Sequence, residues 1–161
     1  MFRIGIGNDT HRLVAGRPLI LGGVHIECDV GAEGHSDGDA LTHALIDAIL
    51  GALCEGDIGV HFPDGDSQWK DADSMQLLAR VVWLAGEHGH AIGNIDATVM
   101  LERPKLRDHI DAMRGNLAQT LNVDKGCVSI KAKTGEGLDA VGRGEAVTAQ
   151  AIVLLKQSFS Q

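Results

Sequence analysis

Three stretches of the sequence place carboxylates, imidazoles or amines at spacings that can do chemistry. The first is Asp9-x-His11. Alternate residues on extended backbone project to one face, so this carboxylate and imidazole point together. Phe2 to Gly7 reads as a strand and Asn8 to His11 closes it, which puts the pair at a strand end. By itself D-x-H also describes a turn aspartate beside a surface histidine. The second stretch is His35-Ser36-Asp37-Gly38-Asp39 and the segment that follows. On a helix, Asp39, His43 and Asp47 form one polar stripe. A carboxylate one turn away on each side would orient the imidazole and tune its basicity. Asp9, His11 and His43 together suit Zn²⁺ with a fourth position open to substrate, if the two segments meet. If they do not, His43 is a structural or solvent-facing histidine.

The third stretch is Lys131-Ala132-Lys133-Thr134-Gly135-Glu136, followed by Gly142-Arg143-Gly144-Glu145. A strand ending in Lys, Thr and Gly offers donors to phosphate oxygens. Glu136 is available to a hard cation such as Mg²⁺. A solvated hairpin fits the same pattern. Asp57-Ile58-Gly59 and Phe62-Pro63-Asp64-Gly65-Asp66 gather acids in turns. They are either contacts for a polyhydroxylated ligand or a plain loop. No Walker A pattern, G-x-S-x-G elbow, C-x-x-C or H-E-x-x-H is present.

These groups must be carried by regular elements. Leu19 to Ile26 reads as a strand or a hairpin turning at Gly22-Gly23. Ser36 followed by Asp39 resembles a capping box, and Ala40 to Leu53 is the sharpest helix signal, ended by Gly56 and Gly59. Residues 60–73 are polar and turn-rich and read as a long loop, a class that is often functional. Ser74 caps a second helix running to Gly86. Ile92 to Leu101 and Cys127 to Lys133 alternate as strands, and Leu106 to Leu121 has helical spacing. Glu145 to Lys156, rich in Ala, Val and Leu, is assigned to a final helix. The order predicts an α+β fold, a mixed β-sheet with helices packed on one face.

Composition bounds the rest. The length of 161 residues fits a single domain, 1–161. With 22 acidic against 14 basic residues the net charge is -8, which argues against nucleic-acid and anionic-membrane partners. Aromatics at 3% and no Tyr make base-stacking platforms a poor fit. No apolar run approaches a bilayer span, and the N-terminus lacks the features of a signal peptide. Cys28, Cys54 and Cys127 are odd in number and far apart, which predicts buried reduced thiols in the cytoplasm. A small, Gly-rich, aromatic-poor chain also gains by burying surface in an oligomer.

Taken in order, the motifs resemble one family. Gly7-Asn8-Asp9-Thr10-His11, H-S-D-G-D-x-x-x-H-A-x-x-D-A, D-I-G-x-x-F-P-D-x-D, K-x-A-D-S, K-A-K-T-x-E and G-R-G-E span nearly the whole chain. Each piece is weak and the ordered set is specific. The chain resembles the 2-C-methyl-D-erythritol 2,4-cyclodiphosphate synthases of the non-mevalonate isoprenoid pathway. The resemblance implies a ferredoxin-like α+β subunit in a homotrimer, with active sites between neighbours. It implies a cytidine diphosphate derivative, 4-diphosphocytidyl-2-C-methyl-D-erythritol 2-phosphate, as substrate. The 2-phosphate attacks the β-phosphorus and CMP leaves. Asp9, His11 and His43 are implied zinc ligands, one Zn²⁺ per chain, and Glu136 the ligand of a Mg²⁺ or Mn²⁺ that comes with substrate. His35 and Thr134 match positions that hold and polarise the diphosphate. Asp57 and Gly59 match contacts to the erythritol portion, and Ser36, Phe62, Asp64 and Asp66 are further candidate substrate contacts. Pro104 and Lys105, within Leu101 to Arg107, match the cytidine segment, and Lys133 the phosphate-binding strand end. Arg143 is a candidate phosphate contact, with substrate or in the trimer's central cavity.

The chain departs from the family at three places. Asn8 stands where an aromatic is common, and Glu136-Gly137-Leu138-Asp139-Ala140 replaces E-K-L-G-aromatic. Ala146-Val147 replaces Gly-Ile after G-R-G-E. Asp139, gained there, rivals Glu136 for a cation. Two alternatives to the synthase share its residues: a zinc-containing trimer that binds CDP-like ligands without turnover, and a zinc phosphohydrolase.

Overall fold

The computed structural model describes residues 1–158. In chain order it runs β1 (Phe2–Ala15), β2 (Leu19–Leu21), β3 (Val24–Ile26), β4 (Val30–Ala32), α1 (Ala40–Leu53), α2 (Ile58–His61), α3 (Ser74–Glu87), β5 (His90–Met100), α4 (Ile110–Leu121), β6 (Val128–Lys133), α5 (Asp139–Gly142) and β7 (Ala146–Gln157). Five strands form one mixed sheet in the order β4-β1-β7-β5-β6, and β2 and β3 form a separate hairpin. β5 and β6 are parallel and the other pairings antiparallel. The long helices cover one face of the sheet, as the α+β expectation required.

β1 is longer than the sequence reading suggested. It runs unbroken through Asp9 and His11 to Ala15, so the pair sits inside the strand and not at its end. Pairing with β7 from Phe2↔Lys156 to Arg12↔Ala146 supplies the ladder that holds it extended. β7 itself is the main correction: Glu145 to Lys156 is not a helix but a central strand of the sheet. Ala and Leu favour helix locally, yet Val147, Ala149, Ala151, Val153 and Leu155 are buried on one face in strict alternation.

The small residues on these strands let α1 come close. An added Cβ at Gly5 would lie 1.8 Å from the Ala48 carbonyl oxygen, and one at Gly7 2.0 Å from that of Ala44. Only glycine admits a helix backbone at that range. α1 is thereby enclosed, with Leu41, Leu45, Ile46, Ile49 and Leu50 fully buried. α3 closes over it with Leu77, Leu78, Val81 and Ala85, and α4 adds Met113, Leu117 and Leu121.

Helix ends also differ from expectation. Asp39, not Ser36, is the N-cap of α1, accepting from the Thr42 N–H at 3.0 Å. Its oxygens also accept from the N–H groups of Gly22 and Gly23, at 2.9 and 2.8 Å, which docks the predicted Gly-Gly turn onto the helix start. The cap of α3 is Asp73, not Ser74. Residues 60–73 are less irregular than expected, holding the end of α2 and a 3₁₀ turn at Ser67–Trp69. No disulfide joins the cysteines, but the expectation of three buried thiols is not met: Cys28 and Cys127 are half-buried and Cys54 is exposed at the end of α1.

Candidate metal centre and flanking cavities

β1 presents Asp9 and His11 toward α1, and α1 presents His43 toward β1. Asp9 Oδ2, His11 Nε2 and His43 Nδ1 converge: His11 to Asp9 is 2.8 Å, His43 to Asp9 3.1 Å, and His11 to His43 3.2 Å. Ligands about 2 Å from a tetrahedral Zn²⁺ would sit roughly 3.3 Å apart, so the donor set and its spacing fit such an ion. Among the described residues these three form the one cluster of metal-ligating side chains at such spacing.

The other nitrogen of each imidazole is held from outside. His11 Nδ1 lies 2.7 Å from the Glu33 carbonyl oxygen. His43 Nε2 lies 2.8 Å from Ser74 Oγ and 3.2 Å from Ser36 Oγ. The flanking acids expected to orient His43 do other work. Asp39 caps the helix, and Asp47 Oδ1 accepts from the Ile58 N–H at 2.8 Å to seat α2. Both point away because a helix that is buried on all sides turns each polar group to a different neighbour.

Charge is balanced within the cluster. Burial works to raise the Asp9 carboxyl, but hydrogen bonds and charge from His11 and His43 outweigh it and hold it well below the usual carboxylate range. Burial also opposes a charged His11, yet Asp9 beside it pushes its imidazole above the ordinary value. Burial raises the carboxyls of Asp39 and Asp47, against the N–H groups they accept from.

The cluster opens into a cavity of about 370 Å³ lined also by His35, Ser36, Ile58, Gly59, Phe62, Asp64, Trp69 and Leu77. His35 Nε2 and Trp69 Nε1 are buried there without a hydrogen-bond partner. Arg17 fixes the segment that carries His35 and Ser36, donating to the carbonyls of Ala32, Gly34 and Ser36 at 3.3, 3.2 and 3.0 Å. Phe62 packs against Trp69 edge-on, with centroids 5.0 Å apart. Asp57 caps α2 through Val60 N–H at 3.1 Å and stands beside the cavity, next to Gly59. Asp66 does not line this cavity; it accepts from the Gln68 N–H at 3.0 Å and shapes the 3₁₀ turn.

The third stretch lies elsewhere. Lys105, Lys133, Thr134 and Glu136 line a second cavity of about 710 Å³ with Leu101, Leu106, Arg107 and Ile110. Pro104 borders a neighbouring hollow with Lys105. Strand register puts Asp9, Ala149, Val99 and Ala132 in one row across β1, β7, β5 and β6. Three strand spacings separate Asp9 from Ala132, about 14 Å. Within one chain, then, the two polar sets do not meet. The Thr134 hydroxyl donates to Glu136, and Glu102 accepts from the Gly135 N–H at 3.0 Å, holding the turn. Asp139 is occupied: its Oδ1 accepts from Val141 and Gly142 N–H at 2.8 and 3.2 Å. Arg143 is exposed, pairs with Glu145 at 2.9 Å and lines neither cavity.

Ser74, buried against His43, and Trp69, which lines the cavity, are among the site residues that escaped the sequence reading. Ser74 looked like a cap, and nothing in its spacing tied it to His43. Trp69 sat in an apparent loop, and only packing against Phe62 shows its place.

The YgbB family model matches residues 2–156. The chain is 56% identical over 156 residues to 2-C-methyl-D-erythritol 2,4-cyclodiphosphate synthase of Salinibacter ruber, covering 97% of this chain and 99% of that one. Among solved structures it is similar to the bifunctional IspDF of Campylobacter jejuni, at TM-score 0.94 and 43% identity over 98% of this chain and 42% of that longer one. A 2C-methyl-D-erythritol-2,4-cyclodiphosphate synthase in a form bound to CDP matches at TM-score 0.89 and 42% identity, covering 96% of this chain and 100% of that one.

Proposed function

We infer that this chain, which belongs to the YgbB family, converts 4-diphosphocytidyl-2-C-methyl-D-erythritol 2-phosphate to 2-C-methyl-D-erythritol 2,4-cyclodiphosphate and releases CMP. The observation that carries this is the convergence of Asp9, His11 and His43 beside the unpartnered His35 Nε2 in one cavity. The reaction is an intramolecular phosphoryl transfer. An oxygen of the 2-phosphate forms a bond to the β-phosphorus, and the bond from that phosphorus to the CMP oxygen breaks. No protein nucleophile is needed, only alignment and neutralisation of phosphate charge.

Asp9, His11 and His43 would hold Zn²⁺, which supplies a Lewis acid for a phosphate oxygen. Glu136 would hold Mg²⁺ or Mn²⁺ arriving with the diphosphate. The chain's own donors do the rest. His35 Nε2 and the Ser36 hydroxyl hold the diphosphate at the metal-side cavity. Asp57, Asp64 and the Gly59 backbone accept and position erythritol hydroxyls, while Phe62 and Leu77 wall out water. Lys133 and the Thr134 hydroxyl bind phosphate oxygens in the second cavity, and Pro104 and Lys105 border the cytidine. Asp66 acts through the turn it caps. Arg143, outside both cavities, is placed to meet an anion only where copies adjoin.

The separation of the two cavities supports a homotrimer in which one copy's metal cluster faces its neighbour's Lys133–Glu136 turn. So does the open sheet face, where Phe2, Ile4, Ile6 and Ile152 are exposed at 71%, 72%, 57% and 44%. Such a stripe on β1 and β7 is what a further copy would cover.

The test is metal analysis and light scattering of the purified chain, with product analysis on the named substrate. Cyclic product with equimolar CMP is expected from a trimer. A linear phosphate product would make it a hydrolase, and binding without turnover a non-catalytic protein. Mixing Asp9→Ala and Glu136→Gln chains after mild dissociation should restore about a quarter of the wild-type rate, because random trimers rebuild that share of intact interfaces. No recovery would place both sets in one chain.

A further inference from the structure

His43 reaches the cluster through Nδ1, so its Nε2 must carry the proton if Nδ1 is to offer a lone pair to a metal. Nε2 lies 2.8 Å from Ser74 Oγ, and Ser74 is fully buried. The Ser74 hydroxyl in turn donates to Asp37 Oδ1, while Asp37 Oδ2 accepts from the Ser74 backbone N–H at 3.0 Å. A hydroxyl has one proton. Because Ser74 gives that proton to a carboxylate, it can only accept from His43. Asp37 is itself anchored, its N–H donating to the Ala72 carbonyl at 3.2 Å and its Oδ1 accepting from the Asp39 N–H at 3.2 Å. The direction of every hydrogen bond in the line is therefore set by the charge at its far end.

We propose that Asp37 and Ser74 are positioning residues for metal binding: the Asp37–Ser74 relay locks His43 in the Nε2–H tautomer and so presents Nδ1 to the ion. The proposal rests on the metal reading of Asp9, His11 and His43. It treats the two imidazoles differently. His11 is set by a neutral backbone carbonyl, that of Glu33. His43 is set by a carboxylate acting through a hydroxyl, which fixes its tautomer and ring orientation. The relay also leaves the Ser36 hydroxyl, 3.2 Å from the same nitrogen, free to turn to a ligand in the cavity.

The experiment strips the full-length protein of metal and titrates it with Zn²⁺ against a competing chelator, reading affinity and not turnover. Ser74→Ala is expected to weaken Zn²⁺ about 10- to 100-fold, and Asp37→Asn to weaken it in the same direction. Asp73→Ala separates this from simple loosening of α3. It removes the helix cap without touching the relay, so it should lower the melting temperature and leave Zn²⁺ affinity unchanged. Should Ser74→Ala misfold, Asp37→Asn against Asp73→Ala decides the question. The relay is overturned if Ser74→Ala, or Asp37→Asn where that variant decides, binds within twofold of wild type. It is equally overturned if Asp73→Ala costs as much affinity. A wild-type chain that binds no Zn²⁺ overturns the metal reading and the relay together.

Discussion

The Asp9–His11–His43 cluster is gripped from two sides. Strand β1 and helix α1 approach to glycine-only distance, and each imidazole is bonded at its outer nitrogen. The Lys133–Thr134–Glu136 turn is built differently: it leaves the end of β6, Glu136 is exposed with φ 51°, and the Thr134 hydroxyl donates to Glu136. One region is preorganised by the core of a single chain. The other is a local turn held by Glu102, and it offers an incomplete set of contacts until something faces it. A metal site tolerates little displacement of its ligands, so it is placed where packing is tightest. A contact surface for phosphate works by charge and can sit on an exposed turn.

Substitutions that break one region and spare the other sharpen this contrast. The largest effect is expected from Asp9→Ala, which removes a ligand shared by both imidazoles. Metal content should fall and turnover should drop roughly a thousandfold or more, with the second cavity still binding cytidine nucleotide. Retention of one ion per chain and of full turnover would refute the cluster. Next comes Glu136→Gln, expected to lower CMP release about a hundredfold and blunt its Mg²⁺ dependence while the other metal stays bound. Asp139→Asn should change the rate far less, because Asp139 is committed to the α5 N–H groups. The reverse ranking would mean the altered 137–140 segment has moved the cation site.

A smaller effect tests how the cluster is gripped. Gly7→Ala drives a methyl into the Ala44 carbonyl, so α1 must retreat and carry His43 with it. A loss of about 3 kcal/mol in stability is expected, together with weaker metal binding. If stability fell with metal affinity intact, His43 would not depend on the close approach. The smallest effect is on pH. In the metal-free chain the lowered Asp9 carboxyl contributes stability above the unfolded value of about 4 and loses it in acid. The raised His11 contributes below about 6.5 and loses it as pH climbs through its folded value. Melting temperature should therefore decline from pH 6 to 8.5, and Asp9→Ala should remove that part of the decline. An identical decline in both proteins would show that the pair contributes nothing.

Much of the site was readable because spacing along one element determines direction. Asp9 and His11 had to share a face, and His43 had to sit on a helix beginning near Asp39. The ordered motifs also identified the reaction. Spacing does not say which elements touch. Ser74 reached His43 only because α3 packs across α1, and Asp39 left the expected polar stripe because a hairpin sixteen residues upstream needed an acceptor for its turn. The sharpest failure was the last segment. Its Ala-rich stretch has the local preference of a helix, but pairing with β1 and β5 satisfied its backbone and buried its alternate residues, and those long-range terms outweighed propensity. Local chemistry was thus written in residue types and intervals, whereas the meeting of Asp9 with His43, and the gap of about 14 Å from Asp9 to Ala132 on the strand that leads to Thr134, were settled by packing between segments far apart in the chain.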